Sequence, residues 1–320
     1  MNKVLETTWE VVKRSRSVSI NRDEVGFFSS DIEVEDIKTW ETANILPKPH
    51  KELDDKEKVQ LIFTANALNF CYWQEPRWNI EYGGKKFKGS LALWASFNRA
   101  LDENIPILDA FYLEHLEERD FLNVTRGENK IPLLGQRVEI LREIGRVLRE
   151  RYGGKFAQVI NKSGGSALSL VDLLTSHFPS YRDQAKYQGL PVFFNKRAQL
   201  ATSDLYQTFN GESWGNLSGI NSLTAFADYK IPAVLRDLGI IGYRGELADR
   251  IDSKQEIPAG SKEEIEIRAN QIWAVEYIRR ELQPRMPGIN AVKIDNWLWI
   301  KGQSRPLESR HPHRTVTTAY

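Results

Sequence analysis

The chain has 320 residues, 41% of them apolar, and 44 Lys plus Arg against 43 Asp plus Glu give it a net charge of +1. That length allows a large core and a deep pocket in one domain or two closely packed ones. The charge balance lacks the basic excess of a protein that lives on polymeric nucleic acid, but leaves room for a small phosphorylated ligand.

One cysteine, Cys71, argues against a disulfide framework or a cysteine-rich zinc site. No run reaches about 18 apolar residues and Met1-Asn2-Lys3 opens a mixed polar stretch, so no membrane partner is expected and a cytoplasmic location fits best. Lys48 to Lys58 is polar and reads as a surface loop. Phe70-Cys71-Tyr72-Trp73 is an aromatic run of the kind that builds core, with Cys71 as a small buried residue. Trp78-Asn79-Ile80-Glu81-Tyr82, Gly83-Gly84 and Lys85-Lys86-Phe87-Lys88 give a hairpin signal, two alternating stretches around a glycine pair. Between Arg137 and Arg151, Val138, Leu141, Ile144 and Leu148 recur at helical spacing until Gly153-Gly154 ends the run. Gly164-Gly165 follows no convincing strand and lacks the terminal Lys-Ser/Thr of a phosphate loop. Gly211 to Gly219 reads as a second surface loop. Pro232, with no N–H and a preset φ, suits the first position of a helix capped at Ile231 and stopped by Gly239. Ile265, Ala269, Ile272, Val275, Ile278 and Leu282 mark a long helix stopped by Pro284; Glu276 falls on its inward stripe, as a boundary residue or facing a site. The expected fold is mainly α with a small β-hairpin component. No repeat, low-complexity tract or long linker interrupts it, so residues 1–320 are read as one domain of two closely packed helical halves meeting near 153–165.

Three groups of residues carry chemistry. Asp228 stands between Phe226 and Tyr229 in Leu223-Thr224-Ala225-Phe226-Ala227-Asp228-Tyr229-Lys230-Ile231-Pro232, and on the helix start above it lies too early to be the cap. Such an acid in a cleft can steady a cation forming on a sugar while the rings hold a flat base; a plain turn aspartate is the other reading. In Ile294-Asp295-Asn296-Trp297-Leu298-Trp299, an acid and an amide interrupt an apolar run, where burial without partners is costly. Asp295 can accept two hydrogen bonds from a guanine-like edge, with Asn296 beside it and the rings of Trp297 and Trp299 available for stacking. Lys196 and Arg197, behind Phe193-Phe194-Asn195, can hold a single phosphate, or else form a solvated helix face. His311-Pro312-His313 has no carboxylate or cysteine after it, so no metal is expected, and no Gly-x-Ser-x-Gly elbow supports a serine nucleophile.

Six runs in this order, Leu68-Asn69-Phe70-Cys71-Tyr72-Trp73, Asn98-Arg99-Ala100-Leu101-Asp102, Phe178-Pro179-Ser180-Tyr181-Arg182-Asp183, Lys196-Arg197-Ala198-Gln199, Phe226-Ala227-Asp228-Tyr229 and Asp295-Asn296-Trp297-Leu298-Trp299, resemble the queuosine salvage proteins. The likeness runs from about Ser17 to the His313-Arg314 segment. It implies a queuosine 5′-phosphate N-glycosidase that releases queuine and ribose 5-phosphate without a cofactor, on a helical fold similar to helix-hairpin-helix DNA glycosylases. It also implies Asp228 as nucleophile or transition-state stabiliser, Phe226 as a wall of the base pocket, and Asp295 with Asn296 as base-recognition pair. The partner is then a small molecule, queuosine 5′-phosphate or a related 7-deazaguanine nucleotide, acted on by a monomer. Ile300 stands where eukaryotic relatives are expected to carry a second acid, so a base with a smaller arm remains a candidate. A DNA or RNA base glycosylase and a non-catalytic modified-nucleotide-binding protein are the alternatives.

Overall fold

The computed structural model of the chain describes residues 2–37, 46–304 and 310–320. Helices dominate, and the described strands form three separate antiparallel pairs. The best-patterned helix, α7 (Leu134–Tyr152), buries Val138, Leu141, Ile144 and Leu148 as their spacing predicts. It ends where Gly153 turns left-handed at φ 56° and its N–H reaches the Leu148 carbonyl, a conformation that costs glycine nothing.

The glycine hairpin is also present: β2 (Asn79–Tyr82) pairs with β3 (Lys85–Lys88) across Gly83 and Gly84, both at positive φ, as a two-residue turn requires. The other pairs are β4 (Gln184–Tyr187) with β5 (Leu190–Phe193), and β1 (Val18–Ile20) with β6 (Ile241–Tyr243), which ties the first residues to the last third of the chain.

Two helix starts differ from expectation. The stretch Lys48 to Lys58 is not all loop, because Asp54 and Glu57 form a reciprocal capping box that begins α3 (Asp55–Ala67). Downstream, α11 (Lys230–Asp237) begins two residues before Pro232, so the proline occupies the third helical position, where a missing N–H is still harmless. Asp228 is consequently not too early to cap: its Oδ1 accepts the N–H groups of Lys230 and Ile231 at 2.9 and 3.0 Å.

Buried apolar residues fall into two clusters. The first is built mainly from residues 53–223, including α3, α4 (Ser90–Asp102), α7, α8 (Phe156–Lys162), α9 (Ala167–His177) and part of α10 (Lys196–Thr208). The second joins α1 (Lys3–Val12) and α2 (Arg22–Ser30) to α11, α12 (Glu246–Asp252), α13 (Lys262–Leu282) and α14 (Ala291–Lys301), with the short helices α5 (Ala110–Glu114) and α6 (Glu118–Val124) lying on the first. Phe156, Val159 and Ile160 belong to the first cluster, and the clusters interleave in sequence because Tyr187, Val192 and Phe194 belong to the second while Ala198 to Leu205 return to the first.

Between them runs the segment 310–320. There His313 is buried against the Tyr320 hydroxyl at 3.1 Å, and burial together with the charge of Arg268 pushes its pKa down to about 3. The unfolded chain takes up this proton as pH falls through about 6.5 and the folded chain only near 3, so the associated stability is complete above 6.5 and is lost on acidification between those values. Replacing His313 by Gln is therefore expected to flatten the pH dependence of unfolding in this window by up to roughly 1.4 kcal/mol per pH unit, readable from urea denaturation of both proteins at pH 7 and 4.5.

Candidate active site

A cavity of about 370 Å³ opens between the two clusters, within the size range of small-ligand sites. Phe70, Tyr72, Phe226 and Trp299 give it aromatic walls, and Asp228, Asp295 and Lys196 line it with charge.

The wall from residues 68–72 is held from behind by Arg137. This fully buried guanidinium donates to the carbonyls of Leu68, Phe70 (2.6 Å) and Pro132 (2.7 Å), and stacks over the Phe70 and Tyr72 rings. Arginine suits the task because its planar fork supplies several donors while its face covers aromatic carbon.

Asp228 sits on a non-helical stretch whose main-chain groups are satisfied by side chains. The Thr224 N–H meets Gln199 Oε1 (2.9 Å), that of Phe226 meets Asp295 Oδ1 (2.9 Å), and that of Asp228 meets Gln271 Oε1 (3.1 Å). Gln271 and Arg268 return donors to the carbonyls of Phe226 (2.9 Å) and Ala227 (3.3 Å).

The electrostatics of the acids follow from burial. Desolvation raises the pKa of Asp228, while the Lys196 ammonium and the two amides at its Oδ1 pull it back toward the anion. Asp295, only 4% exposed, is raised further, by burial and then by the charge of Asp228. Burial pushes Lys196 down to about 8; both carboxylates counter this. Its ammonium donates to the Asn69 carbonyl at 3.1 Å.

Of the residues expected to form a site, Asp228, Phe226, Asp295, Trp299 and Lys196 are brought together. Asn296, Trp297 and Arg197 are not. The reason is helical period: on α14, Asp295 and Trp299 are four apart and share a face, whereas Asn296 and Trp297 are turned away, Asn296 to Gln207 (3.0 Å) and Trp297 against Phe28. On α10, Lys196 and Leu200 share the cavity face. Arg197 is buried behind it, donating to the carbonyls of Ala67 and Ser180. Glu276 also lies outside the cavity, engaged by Arg279 (2.7 Å) and Arg280 (3.0 Å).

Sequence reasoning missed several lining groups. Lys88 and the first turn of α4 at Gly89–Leu91 contribute one edge, a start with no side-chain cap. Arg310, His311 and Tyr320 contribute another. The hairpin pointed toward Lys88 and Gly89, but nothing in the sequence indicated that 310–320 returns to the cavity. No group of His, Cys, Asp or Glu among the described residues has the arrangement of a metal site.

An aromatic-walled cavity with two carboxylates and an ammonium is a small-molecule site able to grip a flat ring and oppose a developing positive charge. This chain belongs to the queuosine salvage protein family, whose profile matches residues 49–320. A protein of Sphaerobacter thermophilus named queuosine 5′-phosphate N-glycosylase/hydrolase is 44% identical, with 99% of this chain and 97% of that protein covered. Proteins of the same name from Mus musculus and Schizosaccharomyces pombe are 36% and 31% identical, covering 77% and 93% of this chain and 76% and 91% of their own lengths.

The two basic neighbours on α10 should respond differently to truncation. Arg197→Met orphans two carbonyls and is expected to lower the free energy of unfolding by on the order of 3 kcal/mol, whereas Lys196→Met orphans only the Asn69 carbonyl and should cost roughly half as much, as read by urea denaturation.

Proposed function

We propose that this protein is an N-glycoside hydrolase that cleaves queuosine 5′-monophosphate to queuine and ribose 5-phosphate. The supporting observation is that Asp228 and Asp295 face one cavity between aromatic walls, in a chain whose relatives carry that activity in their names. The C1′–N9 bond breaks with its electron pair going to the base, water supplies the new C1′–O bond, and its proton is passed on to the base. Positive charge gathers on the ribose as the bond lengthens, and the Asp228 carboxylate, whose anionic form Lys196 and two amides favour against the cost of burial, opposes it. A carboxylate so placed acts as electrostatic stabiliser, as base toward water, or as nucleophile. A 7-deazapurine has no N7 to protonate, so more of the barrier must be lowered from the sugar side and by hydrogen bonds to the base.

Asp295 reads the base edge with its remaining oxygen, while Phe226 and Trp299 hold the ring. The 5′-phosphate falls to Lys196, the member of the expected pair that faces the cavity; Lys88 and the first turn of α4 offer further anion-holding groups. Asn296, Trp297 and Arg197 then act by supporting these walls. Ile300 is outside the cavity lining, so the end of the base's arm meets other groups. Both clusters contribute walls, so the chain works as one domain. We further infer a monomeric, cytoplasmic enzyme whose helices follow the helix-hairpin-helix glycosylase arrangement. Near-neutral charge disfavours a polymer substrate.

Asp228→Asn should keep the fold and lose at least roughly 10³-fold in base release. Incubation with queuosine 5′-phosphate, and in parallel with modified tRNA, followed by chromatography for free base checks this. Release from the mononucleotide by the parent alone is expected. Release only from polymer would point to a nucleic-acid glycosylase, none from either to a binding protein, and near-normal turnover by the variant would remove Asp228 from the chemistry.

The pH profile should be bell-shaped. Below its raised pKa Asp228 is protonated and inactive, which places the acid limb above the ordinary aspartate value of 3.8. Above about 8 Lys196 loses its charge, so kcat/KM should fall for the nucleotide but not for the nucleoside.

A further inference from the structure

Helix α13 presents Glu264, Arg268 and Gln271 at intervals of four and three, which places them on one face. All three are buried, Gln271 completely. Arg268 forms ion pairs with Asp183 (2.6 Å), from outside the helix, and Glu264 (3.4 Å), so its charge is matched by these two acids. Gln271 differs: both ends of its carboxamide reach the segment that carries Asp228. Its Oε1 accepts the Asp228 N–H at 3.1 Å and its Nε2 donates to the Phe226 carbonyl at 2.9 Å. The carboxamide thereby takes the place of a neighbouring strand, bonding a C=O and the N–H two residues on.

We infer that Gln271 is a positioning residue for the Asp228 carboxylate, a role that rests on the reading of Asp228 above. Two bonds at residues 226 and 228 set the rotation of the peptide planes between them. That rotation decides where the Phe226 ring and the Asp228 carboxylate enter the cavity relative to each other. The Oδ1 of Asp228 is held by amides on its C-terminal side, so Gln271 supplies the matching hold on the N-terminal side. Losing it leaves the Phe226 carbonyl and the Asp228 amide unpaired and lets the carboxylate swing about the start of α11. Binding of the free base depends also on Asp295 and Trp299, which stand on α14, so the effect should fall on kcat before it falls on base affinity.

The test uses Gln271→Leu, similar in size and without polar atoms, and Gln271→Glu, which when protonated can reproduce both bonds. Gln271→Leu is expected to lower kcat by about ten- to a hundred-fold, the scale of a small misplacement of a reacting group, with KM and the dissociation constant for queuine within about threefold of the parent. Gln271→Glu should recover most of kcat at pH values above the acid limb set by Asp228 and below the ionisation of the new carboxyl, and lose it as that carboxyl ionises, giving an alkaline limb that the nucleoside reaction of the parent lacks.

Parental kcat in folded Gln271→Leu, or an equal fall in kcat and queuine affinity, would overturn the role. Should Gln271→Leu fail to fold, Gln271→Glu decides alone: the parent's pH profile would overturn the inference, and the added alkaline limb would support it. Failure of the underlying reading looks different. It shows as turnover by Asp228→Asn, whereas an inactive Asp228→Asn beside an active Gln271→Leu defeats only the positioning role.

Discussion

A peptide segment with no strand or helix partner, buried among apolar groups, must find hydrogen bonds elsewhere, and residues 224–228 find them on side chains from three helices. Gln199 of α10, Gln271 and Arg268 of α13, and Asp295 of α14 each meet a main-chain group of this stretch. Because an unpaired buried amide or carbonyl costs about 1–3 kcal/mol, the segment and the three helices define one another. The same contacts that satisfy the backbone bring α10 and α14 to the cavity with Lys196 and Asp295 on their inner faces. Asp295 has two tasks, since one oxygen holds Phe226 in place while its side chain lines the cavity.

The charges in the cavity follow the same logic. Burial makes both carboxylates resist ionisation, the charge of Asp228 adds to this at Asp295, and Lys196 is the cation that favours the anion of each. Lys196 is itself weakened by burial, so the cluster is balanced with little excess charge. Such a site is poised to respond to a ligand that brings its own charge, whether a phosphate or a cation forming on a sugar.

Much of the architecture could be read in the amino acids. The periodicity of α7 and α13, the glycine turn of the hairpin, and the run of six family-like segments all correspond to local chemistry, and the family match agrees with the resemblance. Where local reading went astray, a competing local interaction was the cause: the capping box at Asp54 and Glu57 turned an expected loop into a helix, and the Asp228 carboxylate began α11 two residues ahead of its proline. The neighbours Lys196 and Arg197, and the run from Asp295 to Trp299, look like continuous blocks in the sequence, although a helix rotates adjacent side chains about 100° apart. Applying that rotation would have separated Asp295 and Trp299 from Asn296 and Trp297.

Composition, periodicity and turn chemistry thus determined by themselves that the chain is mainly helical, where three of its helices stop, and which acids and rings were worth attention. They could do so because helix period, caps and glycine conformation act over a few residues. Only the tertiary structure decided that the buried polar stripe of α13 grips the Asp228 segment, that Arg197 turns to the core while Lys196 turns to the cavity, and that residues near Tyr320 return to line it. Those outcomes depend on which buried polar groups lack partners once distant helices meet, and no short stretch of sequence carries that information.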